Sequence, residues 1–328
     1  MSGAIGMPDV STSPVTARTV AFVADRRADA ATLGRALAEL AGDPDAFARA
    51  LTAGLASLAD PEYQGGQRFV APGIGATHGV RNPLLSEIAR AFRAATRRDP
   101  AATLLFVADR LFRERELEAR WFAFGILSRT VAADPERTWQ LIRRGGREAA
   151  DWITVDTLAH CLARGIVAEP YRWTELEGLT LSPNRWERRL VGSTIATLPF
   201  ADRTLGRRPE VASRGLALLG ELIGDAEPDV QKALAWAYRS LTIVDPVATA
   251  DALAAEADTA ARTSDGHRAW VVRDALPKLD EGTAVRIRQR LEGVRRRPGA
   301  PSTSRAAETA ARFAAMGLGG PQPEPPLI

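Results

Sequence analysis

Apolar residues recur at helical spacing along almost the whole chain, and this periodicity limits the fold more than any other feature of the sequence. No stretch shows the strict apolar–polar alternation of a half-buried strand. We therefore predict an all-α protein, with helices at residues 28–40, 45–58, 83–96, 101–113, 116–132, 135–147, 152–163, 172–179, 184–198, 209–223, 229–241, 246–257, 266–276 and 282–296.

The segments between these helices contain residues that typically begin a helix or form a loop. Asp-Pro pairs at 99–100, 134–135 and 245–246 place a capping carboxylate before a proline that suits a first helical turn. Residues 64–79 are rich in glycine and proline and predict a long loop. We expect a flexible N-terminus at 1–14, one helical domain at 15–296 and a disordered tail at 297–328.

Short turns between successive helices indicate antiparallel helix pairs stacked as an α-solenoid of the HEAT type. A weak internal repeat supports this arrangement, because a Trp-x-x-Arg pattern occurs in three helices that are each separated by one other helix. Its copies are Trp186/Arg189, Trp236/Arg239 and Trp270/Arg273.

The composition bears on the cellular location of the protein and on the ligands it can bind. The net charge is +3 and the isoelectric point about 9.5, and only Lys232 and Lys278 are lysines, so nearly all positive charge is arginine. This bias fits either phosphate contacts or GC-rich codon usage. The single cysteine, Cys161, cannot form an internal disulfide, which favours a cytoplasmic protein. Three histidines without zinc-ligand spacing, and no long apolar run, predict neither a metal site nor a membrane span.

Trp236 falls on the wrong side of its helix for a core residue. At 100° per residue it lies opposite the apolar stripe and is flanked by Lys232 and Arg239. This position suits stacking on a nucleotide or sugar, although packing against a neighbouring helix would give the same pattern.

Two arginines of the helix at 184–198 also avoid its apolar stripe. Arg185 and Arg189 lie beside the small residues Gly192, Ser193 and Ala196, which would let a phosphate backbone come close. The alternative is a solvated arginine face.

Trp152 and Asp156 are four residues apart at the edge of their helix's stripe, so their side chains are neighbours. An aromatic ring beside a carboxylate can hold a cationic ligand or a cation-like transition state. The alternative is that Asp156 only pairs with a nearby arginine.

The same residues resemble the AlkD-type family of HEAT-repeat alkylpurine DNA glycosylases. Asp-Trp-Ile-Thr-Val-Asp at 151–156 is similar to the family's Trp-Asp-x-Val-Asp stretch, and Asn-Arg-Trp-Glu-Arg-Arg at 184–189 to its Trp-x-x-Arg helix. Lys-Ala-Leu-Ala-Trp-Ala-Tyr-Arg at 232–239 resembles its Lys-Ala-x-x-Trp-x-x-Arg helix, and Gly-Val-Arg-Asn-Pro at 79–83 its Gly-(Ile/Val)-x-x-Pro segment. The matches fall in order over roughly residues 60–280.

The resemblance implies a curved solenoid whose concave groove binds double-stranded DNA with alkylated bases. It implies excision of N3- or N7-alkylpurines by a monomer that needs no cofactor or metal, in the cytoplasm and at the nucleoid when acting. Asp156 would stabilise the oxocarbenium ion, with Trp152 and Trp236 beside the sugar. Residues implied to contact DNA are Arg185, Arg188, Arg189, Lys232 and Arg239.

The sequence departs from the family at two places. Ile153 stands where the family often has an aspartate, and the aromatic residue of the family's N-terminal part has only Tyr63 as a candidate. Two alternatives therefore stay open: a DNA-binding relative that has lost catalysis, and a HEAT-repeat scaffold for protein partners.

Overall fold

A computed structural model describes residues 14–70 and 75–316. Within these residues the secondary structure is helical, apart from one isolated β-bridge between Ala76 and Glu116. The helices are α1 Pro14–Glu39, α2 Pro44–Ser57, α3 Pro61–Val70, α4 Asn82–Ala95, α5 Ala101–Leu111, α6 Leu117–Thr130, α7 Pro135–Glu148, α8 Trp152–Ala168, α9 Trp173–Leu179, α10 Arg185–Ala201, α11 Pro209–Leu222, α12 Pro228–Leu241, α13 Pro246–Thr263, α14 Gly266–Ala275, α15 Glu281–Arg290 and α16 Arg305–Ala315. The all-α prediction is confirmed.

The predicted loop at 64–79 is wrong in its first half, because α3 runs to Val70. The Asp60 carboxylate accepts from the backbone N–H groups of Glu62 and Tyr63, and Pro61 occupies the first turn. This Asp-Pro start is the same signal that marks other helices of the chain, and it outweighs the glycines at 65 and 66.

The predicted disordered tail is also wrong for residues 305–315, which form α16. The Ser304 hydroxyl accepts from the backbone N–H of Ala307 at 3.2 Å, and both Ser304 and Ala306 are buried. The segment before α16 is held as well, since the Thr303 backbone N–H donates to the Gly224 carbonyl at 2.9 Å. Residues 317–328 and 1–13 lie outside the described residues, and Pro14, expected in the flexible N-terminus, begins α1.

The chain divides into two compact units, and the first comprises, among the described residues, 14–70 and 76–122. Its core contains Phe47, Phe92 and Phe122, whose ring centroids lie 5.3–5.8 Å apart. The buried carboxylate of Glu118 accepts from the backbone N–H groups of His78, Gly79 and Val80, which fixes the approach to α4. The prediction of one domain over 15–296 stays a prediction.

The second unit begins at Ala123 and contains a row of parallel helices, α8, α10, α12 and α14. Their direction follows from paired contacts: Asp156 with Ser193 and Ala159 with Thr197 join α8 to α10. Arg189 with Asp229 and Gly192 with Ala233 join α10 to α12 in the same direction. Likewise Gln231 with His267 and Arg239 with Asp274 join α12 to α14.

The intervening helices α9, α11 and α13 return the chain between members of this row. Helix α11 packs against α13, and Arg214 of α11 lies 3.9 Å from Glu177 of α9. This arrangement of helix pairs confirms the repeat-like, α-solenoid fold. In the part of the chain that the structure describes, no helix combines the length and apolarity that crossing a bilayer requires.

Candidate active site on three parallel helices

The start of α8 sets the positions of Trp152 and Asp156. The Asp151 carboxylate caps this helix by accepting from the Thr154 backbone N–H at 2.8 Å and from its hydroxyl at 2.6 Å. Trp152 therefore occupies the first turn, where its residue surface is 36% exposed, and Asp156 follows one turn later. The cap thus holds an aromatic ring and a carboxylate side by side.

Asp156 is bound by two side chains of α10. Arg189 donates from Nε to Oδ1 at 3.1 Å and from Nη2 to Oδ2 at 2.7 Å. Ser193 donates its hydroxyl to Oδ1 at 2.6 Å. The Asp156 side chain keeps 21% of its surface exposed, against 6% for Arg189, so the carboxylate is fixed in orientation yet reachable from solvent.

Arg189 ties the three helices together. Its Nη1 donates to the backbone carbonyl of Asp229 on α12 at 2.6 Å, while its other nitrogens bind Asp156 on α8. The pairing of Asp156 with an arginine, which sequence spacing left as an alternative, is therefore present. Arg189 faces away from the apolar stripe of α10, as expected, but it is buried between helices instead of exposed to solvent.

Gly192 allows α12 to approach α10 closely at this level. A Cβ atom added at Gly192 would lie 2.9 Å from the carbonyl carbon of Ala233 and 3.0 Å from its Cβ. Trp236 lies three residues beyond Ala233 and is partly exposed, and Lys232 beside it is exposed. The convergence of Trp152, Asp156 and Trp236 on one sugar stays a prediction.

Two of the arginines expected to contact DNA are held by the protein itself. Arg188 donates to the Asp225 carboxylate at 2.7 Å and to the Ser182 carbonyl at 2.9 Å. Arg239 donates to the Asp274 carboxylate and to its backbone carbonyl, at 2.6 and 2.7 Å. Their guanidinium groups hold neighbouring elements in place, which limits what they can offer a ligand.

Arg185 and Lys232 are more accessible. Arg185 is exposed at the start of α10, with its guanidinium carbon 4.9 Å from the Trp186 ring and a nitrogen 3.5 Å from a Glu227 oxygen. Lys232 is exposed on α12, and no described carboxylate lies within ion-pair distance of it. These two cations can reach a polyanion without breaking a buried contact.

Residues 51–277 match the protein family described as DNA alkylation repair enzyme. The match covers more than half of the chain and includes α8, α10 and α12. The chain belongs to this family. No curated protein matches it. Membership in this DNA alkylation repair family supports a role in DNA repair, and it means that the three-helix site lies within the part of the chain shared with the family.

From the sequence, Ser193 is only a small residue beside Arg189. Its hydroxyl binds the Asp156 carboxylate, and the available signal was its place one helical turn after Arg189. The backbone carbonyl of Asp229 leaves no sequence signal at all. Tyr63, the candidate N-terminal aromatic, lies on α3 in the first unit, where the Arg81 guanidinium carbon is 5.1 Å from its ring.

The residues that the structure describes contain no group of three or more His, Cys, Asp or Glu side chains placed to hold a metal ion. The structure brings together at the site a carboxylate, a guanidinium and a hydroxyl, with the Trp152 indole ring one helical turn before the carboxylate.

Proposed function

We propose that this member of the alkylation repair family is a DNA glycosylase that excises cationic N3- or N7-alkylpurines from double-stranded DNA. One observation carries the proposal: the Asp156 carboxylate is held by Arg189 and Ser193 while part of it stays exposed beside Trp152. A fixed, reachable carboxylate next to an aromatic ring is what a cationic sugar intermediate requires.

The substrate explains why a carboxylate is sufficient. Alkylation at N3 or N7 gives the purine a positive charge, so the base leaves without a strong general acid. Breaking the glycosidic bond moves positive charge to the deoxyribose, and a nearby negative charge lowers the energy of that state.

The hydrogen bonds leave room for this role. A carboxylate offers about four acceptor positions, and the protein fills three of those of Asp156, two at Oδ1 and one at Oδ2. The remaining position at Oδ2 can face the anomeric carbon or orient the attacking water. Trp152 and Trp236 would add their π faces to the stabilisation of the cation.

In this proposal, the main role of Arg189 is to position the Asp156 carboxylate. It keeps the carboxylate in place, and two of its five N–H groups have no partner among the described residues. Because the side chain is only 6% exposed, a phosphate of the bound strand would reach it only at its edge. Arg185 and Lys232 are the more direct phosphate contacts, because both are exposed. Arg188 and Arg239 would contribute positive potential from fixed positions.

We further propose that the protein acts as a monomer without a cofactor, in the cytoplasm and at the nucleoid. The chemistry requires no metal or acid cofactor, since the departing base already carries its charge.

The deciding experiment measures free base released by the purified protein from duplex DNA containing N7-methylguanine, with spontaneous depurination subtracted. We expect release well above background. Tight binding to the same DNA without release would instead favour the relative that has lost catalysis, an alternative that Ile153 motivates. Absence of both binding and release would favour the protein scaffold.

The role of Trp236 is tested against Trp186, which belongs to the same Trp-x-x-Arg repeat on the neighbouring row helix. Loss of a cation–π contact of about 1 kcal/mol predicts roughly a fivefold lower rate of base release for Trp236→Ala. Trp186→Ala should leave the rate within twofold of wild type. Equal losses in both variants would remove the case for Trp236 as an active-site residue.

A further inference from the structure

The family match ends at residue 277, and the chain continues with α15, a connecting segment and α16. This continuation is anchored to the second unit. Arg273 donates to the carbonyls of Leu291 and Val294 at 2.6 and 2.8 Å, and the His267 ring lies 3.0 Å from the Ala300 carbonyl oxygen. The connecting segment therefore has a defined position against α14.

Between this segment and the turn from α13 to α14 lies a cleft of about 580 Å³. Arginines dominate its charged lining, with Arg268, Arg295, Arg297 and Arg305 against the carboxylates Asp265 and Glu308. Threonine and serine hydroxyls complete the polar surface. The lining is thus suited to an anion with several oxygen acceptors.

Only some of these arginines are neutralised. Arg268 binds Glu256 and Asp265, and Arg305 lies 3.5 Å from Glu221. Arg295 and Arg297 are exposed, and among the described residues neither has a carboxylate within ion-pair distance.

The positive charge at the cleft also affects the pKa of the neighbouring Arg273. Burial lowers the pKa of the Arg273 guanidinium, and the charge of Arg295 lowers it further. The N-terminus of α14 is not the source of the attraction, because the Asp265 carboxylate already accepts from the N–H groups of His267 and Arg268. An incoming anion would therefore meet Arg295 and Arg297.

The cleft also lies beside the helix row that carries the candidate active site. Arg296 donates to Gln231 of α12 at 2.9 Å, and its guanidinium carbon is 5.8 Å from the Trp270 ring of α14. The segment with Arg295 and Arg297 therefore runs along the same two helices that follow α10 in the row. A duplex that ran from the active site along this row of helices would meet the segment.

We propose that this cleft binds the phosphodiester backbone of DNA to one side of the damaged nucleotide, through Arg295 and Arg297. The proposal rests on the DNA substrate proposed above, but it concerns a second contact surface, whose two proposed phosphate contacts lie outside the family match. It requires no base recognition, because phosphate contacts carry no sequence information.

The test compares Arg295→Gln/Arg297→Gln with the control Arg203→Gln/Arg208→Gln. The control removes the same charge from two exposed arginines in the turn after α10, which do not line the cleft. Each protein is titrated with undamaged duplex DNA of about three helical turns over a range of salt concentrations. A thermal-unfolding scan confirms that each variant is folded.

Loss of two phosphate contacts should reduce the slope of log K against log salt by about 1.8 and weaken binding about tenfold at moderate salt. The control should keep a slope near that of wild type. Equal slopes in all three proteins, or equal reductions in both variants, would overturn the proposal.

A second arm tests free phosphate as the occupant. If inorganic phosphate at constant ionic strength stabilises wild type but not the cleft variant, while DNA slopes agree, the cleft is a small-anion site and the DNA assignment is wrong. Base release is measured separately. If the wild-type protein releases base but the cleft variant keeps the wild-type salt slope, only the proposed DNA contact at the cleft is refuted. If the cleft variant has a smaller slope but the wild-type protein releases no base, only the proposed glycosylase activity is refuted.

Discussion

Replacing Asp156 by Asn tests the core of the proposed mechanism. The amide keeps the shape of the side chain but removes the charge that would stabilise the oxocarbenium ion. An electrostatic group of this kind contributes on the order of 3 kcal/mol to the barrier, so base release should fall about a hundredfold. Affinity for DNA should be unchanged or slightly higher, because a negative charge near the phosphates is removed.

The same substitution has a stability cost that the assay must separate from catalysis. Asp156 receives two hydrogen bonds from Arg189 and one from Ser193, and the amide would direct its NH2 group at one of these donors. Breaking a largely buried ion pair costs about 3 kcal/mol, which corresponds to a loss of roughly 10 °C in Tm for a unit of this size. Single-turnover release is therefore measured well below the transition of the variant.

Asp274 provides a matched control. It also follows a tryptophan by four residues, Trp270, and also pairs with an arginine of an adjacent row helix, Arg239. Asp274→Asn should lose some stability and keep base release within about twofold of wild type. Full excision activity in Asp156→Asn, or an equal loss in Asp274→Asn, would refute the role assigned to the Asp156 carboxylate.

Three further outcomes follow from single contacts. Ser193→Ala removes a 2.6 Å hydrogen bond to the proposed catalytic carboxylate. Loss of about 1 kcal/mol should slow base release roughly fivefold without changing DNA affinity. An unchanged rate would count against a role of Ser193 in positioning the Asp156 carboxylate. Burial raises the pKa of the Cys161 thiol to about 11, so alkylation near pH 8 should require unfolding, and rapid labelling of the native protein would contradict this. Burial alone would raise the pKa of Asp265, but hydrogen bonds from Thr303 and Arg268 hold it below its ordinary 3.8. Its stabilisation is therefore present above that pH and lost as the pH falls through the lower folded value, so stability should decline more steeply in acid for wild type than for Asp265→Asn, as measured by denaturant midpoints.

Much of the fold was accessible from the sequence because helix formation here depends on local signals. Apolar periodicity and Asp-Pro starts such as Asp134-Pro135 and Asp245-Pro246 are read within one or two turns. The prediction failed at α3 and α16, where glycines or a proline-rich end suggested loops. There the deciding contacts include local caps at Asp60 and Ser304 and, for α16, docking against the turn at Gly224.

The candidate site divides in the same way. Helical geometry alone made Trp152 a neighbour of Asp156 and turned Trp236 away from its core stripe, because both relations are fixed by 3.6 residues per turn. The partner of Asp156 could not be obtained in this way. Arg189 is 33 residues away, and spacing within α10 does not tell whether Arg185 or Arg189 reaches the carboxylate. The packing of α10 between α8 and α12, which the close approach at Gly192 permits, decided that Arg189 is buried against Asp156 and that Arg185 stays exposed.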